Sequence, residues 1–175
     1  MPTMIDKFPG TPLDERALKG GKIFTASYAP KLKYRWDTGE AIGHYLEELK
    51  QGRLIARRCD QCQRVMIPPR MFCERCFRPT DEWVQIKDTG TILTFSLCYV
   101  SWNVTRLKRP EIPAVIAIDG ASEGMGILHK VQNIAPKAVR VGMALRAVWK
   151  PNNRRVGSIT DIAYWQPIES SRKRR

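Results

Sequence analysis

The hydrophobic period of the chain changes near residue 53. Ile42, Leu46 and Leu49 recur at helical spacing and Tyr45 widens the stripe, so 38–51 predicts a helix. Thr38 stands where an N-cap belongs, Glu40 suits the first turn, Lys50 the last, and Gly52 follows as a stop. Beyond it the pattern shortens. Residues 53–58, 64–67 and 82–87 read as short strands, with Pro68 and Pro69 ending the second and Asp88-Thr89-Gly90 forming a turn. From Thr91, Leu93, Phe95, Leu97 and Tyr99 alternate with Thr94, Ser96 and Cys98, a period of two that predicts a strand with one buried face. Further strands are expected at 113–119, 124–129, 143–150 and 157–165, separated by glycines, with one helical turn within 134–139. Five strands with a longer link between the third and fourth match a five-stranded OB-type barrel; another small Greek-key barrel is the alternative.

Residues 1–37 are rich in Pro, Gly and Lys and show no sustained period. They predict an extended N-terminal arm ordered against a partner, with Ile23, Phe24, Tyr28, Tyr34 and Trp36 as docking candidates. The expected organisation is this arm, a helix plus cysteine-rich module at 38–87, a barrel at 88–168 and a basic tail at 169–175. The fold class is mainly β. No apolar run approaches the roughly 20 residues of a membrane span, and the first residues lack the apolar core of a secretory signal. A cytoplasmic protein is the expectation.

Charge adds direction. The 175 residues carry a net charge of +13. It is uneven: +4 over 1–58, zero over 59–82 and +9 over 83–175. The C-terminal part attracts something anionic, and nucleic acid, a phosphorylated cofactor and an acidic protein all fit. The tail Arg172-Lys173-Arg174-Arg175 supplies four of these charges and reads as a solvated end.

Candidate chemistry lies in the cysteines. Cys59, Cys62, Cys73 and Cys76 read C-x2-C-x10-C-x2-C. Each C-x2-C turn can aim two thiolates at one point, and two such knuckles complete a tetrahedral Zn²⁺ site of zinc-ribbon type. A disulfide framework fits poorly without a secretory context. A rubredoxin-type iron centre uses the same four thiolates, and a metal-free set is the third reading. Four thiolates leave no open coordination position, so the metal would be structural. Arg57, Arg58, Arg64 and Arg75 stand close in sequence and could offset the charge of the centre. Cys98 reads as a buried small hydrophobe.

A helix, then CDQC and CERC with "PPR" between them, then a barrel, resembles the DUF35 family of rubredoxin-like zinc ribbon plus OB-fold proteins. The stretches that carry the resemblance are YLEELKQGRLIARRCDQCQRVMIPPRMFCERC, EWVQIKDTGTILTFSLCYV, IPAVIAID and VGMALRAVW, within 40–166. The family usually has Gly directly after each knuckle, whereas this chain has Gln63 and Phe77, which implies looser knuckle turns. The resemblance implies a non-catalytic accessory subunit of a thiolase-type acyl-CoA complex. The catalytic cysteine would sit on a thiolase-superfamily partner, in a hetero-oligomer with two copies of each chain, acting on CoA or acyl-CoA as substrate of the complex.

The residues are compatible with that role. His44 and His129 are isolated in sequence, and no nucleophile–base pair, phosphate loop or G-x-S-x-G elbow is visible. Arg106, Lys108 and Arg109, in a predicted loop beside Trp102, are the candidate CoA contacts: guanidinium on phosphate, ring beside adenine. A solvated loop or a protein interface is the plainer reading, and it also applies to Arg154-Arg155 in a hairpin loop. Two other functions stand beside the accessory subunit. One is a nucleic-acid-binding module using Phe95, Tyr99, Trp102, Trp149 and Trp165 for stacking; the other is a free-standing acyl-CoA carrier.

Overall fold

The computed structural model describes residues 14–21, 26, 29–101 and 103–168, in two units divided between Trp36 and Asp37. The first unit contains a short helix, α1 (Glu15–Lys19), where the sequence predicts only extended chain. Asp14 makes the helix possible: its carboxylate accepts the Arg16 backbone N–H at 2.9 Å. Tyr34 and Trp36 are exposed and stack on each other, with centroids 5.4 Å apart. Ile23, Phe24, Tyr28 and the tail 169–175 lie outside the described residues.

The second unit begins with α2 (Gly39–Lys50). Thr38 makes no cap hydrogen bond; Asp37 accepts the Gly39 N–H instead, at 2.9 Å. The helix stops as predicted at Gly52, whose φ of 77° needs no Cβ. Gly52 N–H donates to Leu49 O and Arg53 N–H to Glu48 O, both at 2.9 Å, which is a Schellman closure. Ala41, Tyr45 and Leu49 form the buried line, with Ile42 and Leu46 at its margin.

Three strands follow: β1 (Leu54–Cys59), β2 (Arg64–Met66) and β3 (Glu82–Ile86) form an antiparallel sheet in the order β2-β1-β3. The barrel strands are β4 (Thr89–Phe95), β7 (Pro113–Ile118), β8 (Gly126–Lys130), β9 (Ala144–Trp149) and β10 (Ile162–Pro167), in the order β10-β9-β4-β7-β8. A parallel bridge between Val131 and Trp165 closes the circuit, with Gln132 N–H donating to Trp165 O at 2.8 Å. This is the OB arrangement that the strand count predicts. The single turn expected in 134–139 is a 3₁₀ turn at Pro136–Ala138. Residues 157–161, predicted as strand, instead hold a 3₁₀ turn at Ile159–Asp161.

Two corrections concern the first barrel strand. Gly90 lies within β4 rather than in a turn, and a Cβ there would run into the Ala117 carbonyl. The alternating run also does not bury the face that it predicts. Ile92 pairs with Ile116 and Thr94 with Val115, so Leu93 is an extra residue in the ladder. The bulge inverts the parity. Ile92 is buried, Phe95 packs against the core from the far side of the bulge, and Leu93, Leu97 and Tyr99 are exposed.

The run also breaks after Phe95. The two-stranded ribbon β5 (Cys98–Val100) and β6 (Arg106–Glu111) occupies the expected loop. Cys98, on β5, is half-buried rather than buried.

Buried residues of α2, the three-stranded sheet β2-β1-β3 and the barrel form one contiguous cluster, from Tyr45 and Leu49 through Leu54 and Ile86 to Ile116 and Trp165. Arg155, expected in a solvated loop, contributes to this unit. Its guanidinium lies over the Trp149 ring at 5.6 Å and against Gly52, and its Nε donates to Lys150 O at 2.8 Å.

Candidate metal centre

The four candidate ligands come from two similar turns. Cys59 ends β1, and the turn that follows returns the chain to β2, bringing Cys62 beside Cys59. The second turn is drawn tight by Cys73 N–H donating to Arg78 O and Phe77 N–H donating to Cys73 O, each at 2.9 Å. Phe72 bridges Pro79 across its base.

The four sulfurs lie within 4.8 Å of one another, and Cys59 Sγ is 3.6 Å from Cys76 Sγ. Tetrahedral zinc with bonds of about 2.3 Å sets its sulfurs roughly 3.8 Å apart, so the set fits the ion with little movement. Cys59 and Cys73 are buried, and Cys62 and Cys76 are half-buried.

Main-chain amides, rather than arginines, favour the thiolates. N–H groups of Cys76 and Arg75 hold the Cys73 thiol down to about 7. Cys62 N–H favours the Cys59 thiolate, but burial and the neighbouring thiols of Cys76 and Cys73 outweigh it and raise that pKa. Cys62 is pushed up to about 12, first by sharing a hydrogen bond with Cys76 and then by burial. The metal, once bound, displaces these protons.

Of the four guanidinium groups expected to balance the centre, three are engaged elsewhere, and Arg75 is exposed without an ion pair among the described residues. Arg57 is buried, with Nε on Thr80 Oγ1 at 2.8 Å and its face on Trp83 at 4.7 Å. Arg58 pairs with Asp60 and Glu82, and Arg64 with Glu74 at 2.6 Å.

The remaining candidate residues do not converge. Trp102 lies outside the described residues. Arg106, Lys108 and Arg109 are all exposed on β6, whose pairing with β5 changes register along its length. Arg109 lines an open groove of about 810 Å³ with Ile112 and residues 131–136.

His44 sets its ring edge-on to Trp83 at 4.5 Å. His129 faces two backbone carbonyls, Lys130 O at 3.4 Å and Ile159 O at 3.3 Å, and its burial lowers its pKa. Neither histidine hydrogen-bonds a hydroxyl or thiol among the described residues. Of the proposed stacking residues, Trp165 is fully buried, Phe95 packs on the core, and Trp149 donates to Asp88 at 3.1 Å.

Comparison with known proteins agrees with this architecture. Residues 46–82 match the family model of the ChsH2 rubredoxin-like zinc ribbon domain, and 83–150 that of the ChsH2 C-terminal OB-fold domain. A DUF35 domain-containing scaffold protein of Methanocaldococcus jannaschii is 31% identical over 67% of this chain and 83% of its own length. A probable enoyl-CoA hydratase alpha subunit of Thermomonospora curvata is 28% identical over 60% of this chain, which spans only 32% of that relative. A DUF35-family structure of unknown function from Sulfolobus solfataricus superposes with a TM-score of 0.55 at 28% identity, over 63% of this chain and 79% of its own. A chain of the Ltp2-ChsH2(DUF35) aldolase shares the fold, with a TM-score of 0.54 at 20% identity over 76% of this chain and 98% of its own.

Proposed function

Because the chain belongs to the DUF35 family, we propose that it is a zinc-stapled, non-catalytic accessory subunit of an acyl-CoA enzyme complex. The observation that carries this reading is the closed metal centre. All four cysteines converge on one point, so the ion would have no open position for a substrate. The scaffold name of the archaeal relative and the acyl-CoA name of the actinobacterial one support the same role. At the finer level, the partner is a thiolase-superfamily enzyme that carries the catalytic cysteine, in a hetero-oligomer with two copies of each chain. CoA or acyl-CoA is the substrate of that complex. Arg109, in its groove, is the residue of this chain best placed to meet a CoA phosphate.

Zn²⁺ would be held by Cys59, Cys62, Cys73 and Cys76 and would supply structural cross-linking only. The chain's own residues do the remaining work. α2 and the 3₁₀ turn at Ile159–Asp161 pack together, and Arg155 bridges Trp149 to the end of α2. The three-stranded sheet and the barrel thereby share one core and can present their surfaces in a fixed relation.

The outer face of the barrel supports protein over nucleic acid. The row Thr94–Val115–Leu128 and the row Thr91–Ala117–Gly126 point outward beside Leu93. These residues are small or aliphatic. A single-strand platform would need stacking aromatics and cations there.

Tagged purification from the native host, with mass spectrometry of the retained chains, tests the reading. A co-purifying thiolase-like enzyme whose 3-oxoacyl-CoA cleavage needs both chains is the expected result. Turnover by this chain alone, or salt-sensitive oligonucleotide retention with no enzyme chain, would overturn it.

A further inference from the structure

Four non-glycine residues among those described hold a positive φ: Gln63 at 51°, Phe77 at 57°, Val104 at 64° and Asn133 at 57°. This region costs an L-residue roughly 1–2 kcal/mol. Two of the four recover part of it through hydrogen bonds. Gln63 Nε2 donates to Asp60 O at 2.7 Å. Asn133 Nδ2 donates to Gln166 Oε1 at 2.9 Å and Tyr164 Oη at 3.2 Å.

The Phe77 side chain carries no group that could make such a bond. It is 80% exposed, at the residue after the second knuckle. Phe72, on the other side of Cys73 and Cys76, is 62% exposed. Both aromatics stand on a turn fixed by the Phe72–Pro79 bridge, by its two hydrogen bonds and by the metal ligands beneath. An aromatic ring on a rigid support binds with little loss of conformational freedom.

We propose that Phe72 and Phe77 anchor a protein-docking surface on the second knuckle, and that its occupant is a protein with an apolar cleft rimmed by carboxylates. This rests on the accessory-subunit reading and adds a place of contact to it. Charge argues for the occupant. Residues 59–82 carry no net charge, so the module lacks the broad positive field that draws in a phosphate backbone. Its local acids are engaged: Asp60 and Glu82 with Arg58, Glu74 with Arg64 and Arg70, and Asp81 with the Asp60 N–H. Arg75 and Arg78, the arginines on either side of Cys76 and Phe77, are exposed and form no ion pair among the described residues. They are the charges left for carboxylates on the other side.

The test uses the full zinc-loaded chain and the enzyme subunit that co-purifies with it. Phe77→Gly should keep its zinc, melt no lower than the parent, and bind that subunit about tenfold or more weakly. Phe72→Ser should weaken binding in the same direction, and Phe77→Tyr should retain it. A stable Phe77→Gly variant with undiminished affinity would overturn the surface while leaving the accessory role intact. Failure of the parent chain to hold any enzyme subunit would instead remove the role itself, and the proposal with it. A labelled single-stranded oligonucleotide at low salt is the second probe; binding that depends on Phe77 would make this a nucleic-acid surface and overturn the protein occupant.

Discussion

Gln63 and Phe77 hold the same left-handed backbone, at φ 51° and 57°, each at the residue after the second cysteine of its knuckle. The family's glycine is missing at both places, yet the turns do not loosen as its absence implies. Aiming two thiolates at one point fixes the turn, and the side chain must accept it. Phe77→Gly should therefore stabilise the protein by up to about 1 kcal/mol, since relief of strain exceeds the added freedom of the unfolded chain. Gln63→Gly should gain less, because it also removes the bond to Asp60 O. Thermal denaturation of the zinc-loaded variants checks the order; a lower melting temperature for Phe77→Gly would contradict it.

Cys59→Ser should abolish tight zinc binding, because Cys59 is a buried member of the four-sulfur set. Hydrogen exchange should quicken across 59–82 before it does in the barrel, since the turns lose their cross-link first. Affinity for zinc should rise with pH. Without metal the Cys73 thiol is held down to about 7 and the Cys62 thiol is pushed up to about 12, so bound zinc displaces protons and acid favours release. Metal analysis at graded pH reads this directly, and stoichiometric zinc in Cys59→Ser would sink the ligand assignment.

Ile92 and Leu93 are adjacent and chemically alike, but the bulge gives them opposite surroundings. Ile92→Ala should cost about 2–4 kcal/mol, as expected of a fully buried aliphatic residue. Leu93→Ala should cost well under about 1 kcal/mol. Chemical denaturation of both variants distinguishes this placement from the alternation in the sequence, which would reverse the ranking.

Asp161 is fully buried at the turn before β10. Burial alone would raise its pKa, but the N–H groups of Ser158, Val156 and Gly157 favour the carboxylate, and Gly157 N donates at 2.7 Å. The net shift is downward from 3.8. A depressed carboxyl stabilises the fold above its unfolded value and loses that contribution as pH falls through the folded value. Stability should thus be level near neutral pH and decline below about 4. Asp161→Asn should cost about 2 kcal/mol at pH 7 and show a shallower acid decline. Urea denaturation at pH 7 and pH 3.5 measures both, and equal acid slopes would refute the role.

The four-cysteine cluster, the helix with its glycine stop and the OB fold were legible in the sequence, because each depends on local spacing. A C-x2-C turn specifies its own geometry, Gly52 suits the closure that ends α2, and a glycine-punctuated series of strands leaves few ways to close. Parity along β4 was not legible. One extra residue in a ladder leaves the sequence pattern intact while exchanging its two faces, and only pairing with β7 identifies Leu93 as that residue. Nor could the sequence assign the arginines. Arg57, Arg64 and Arg155 look alike in a basic chain, but packing gives them Thr80 and Trp83, Glu74, and Trp149 with the end of α2. Local spacing decided which atoms could bind a metal; long-range contact decided which charges were already engaged, and so which surfaces remain for a partner.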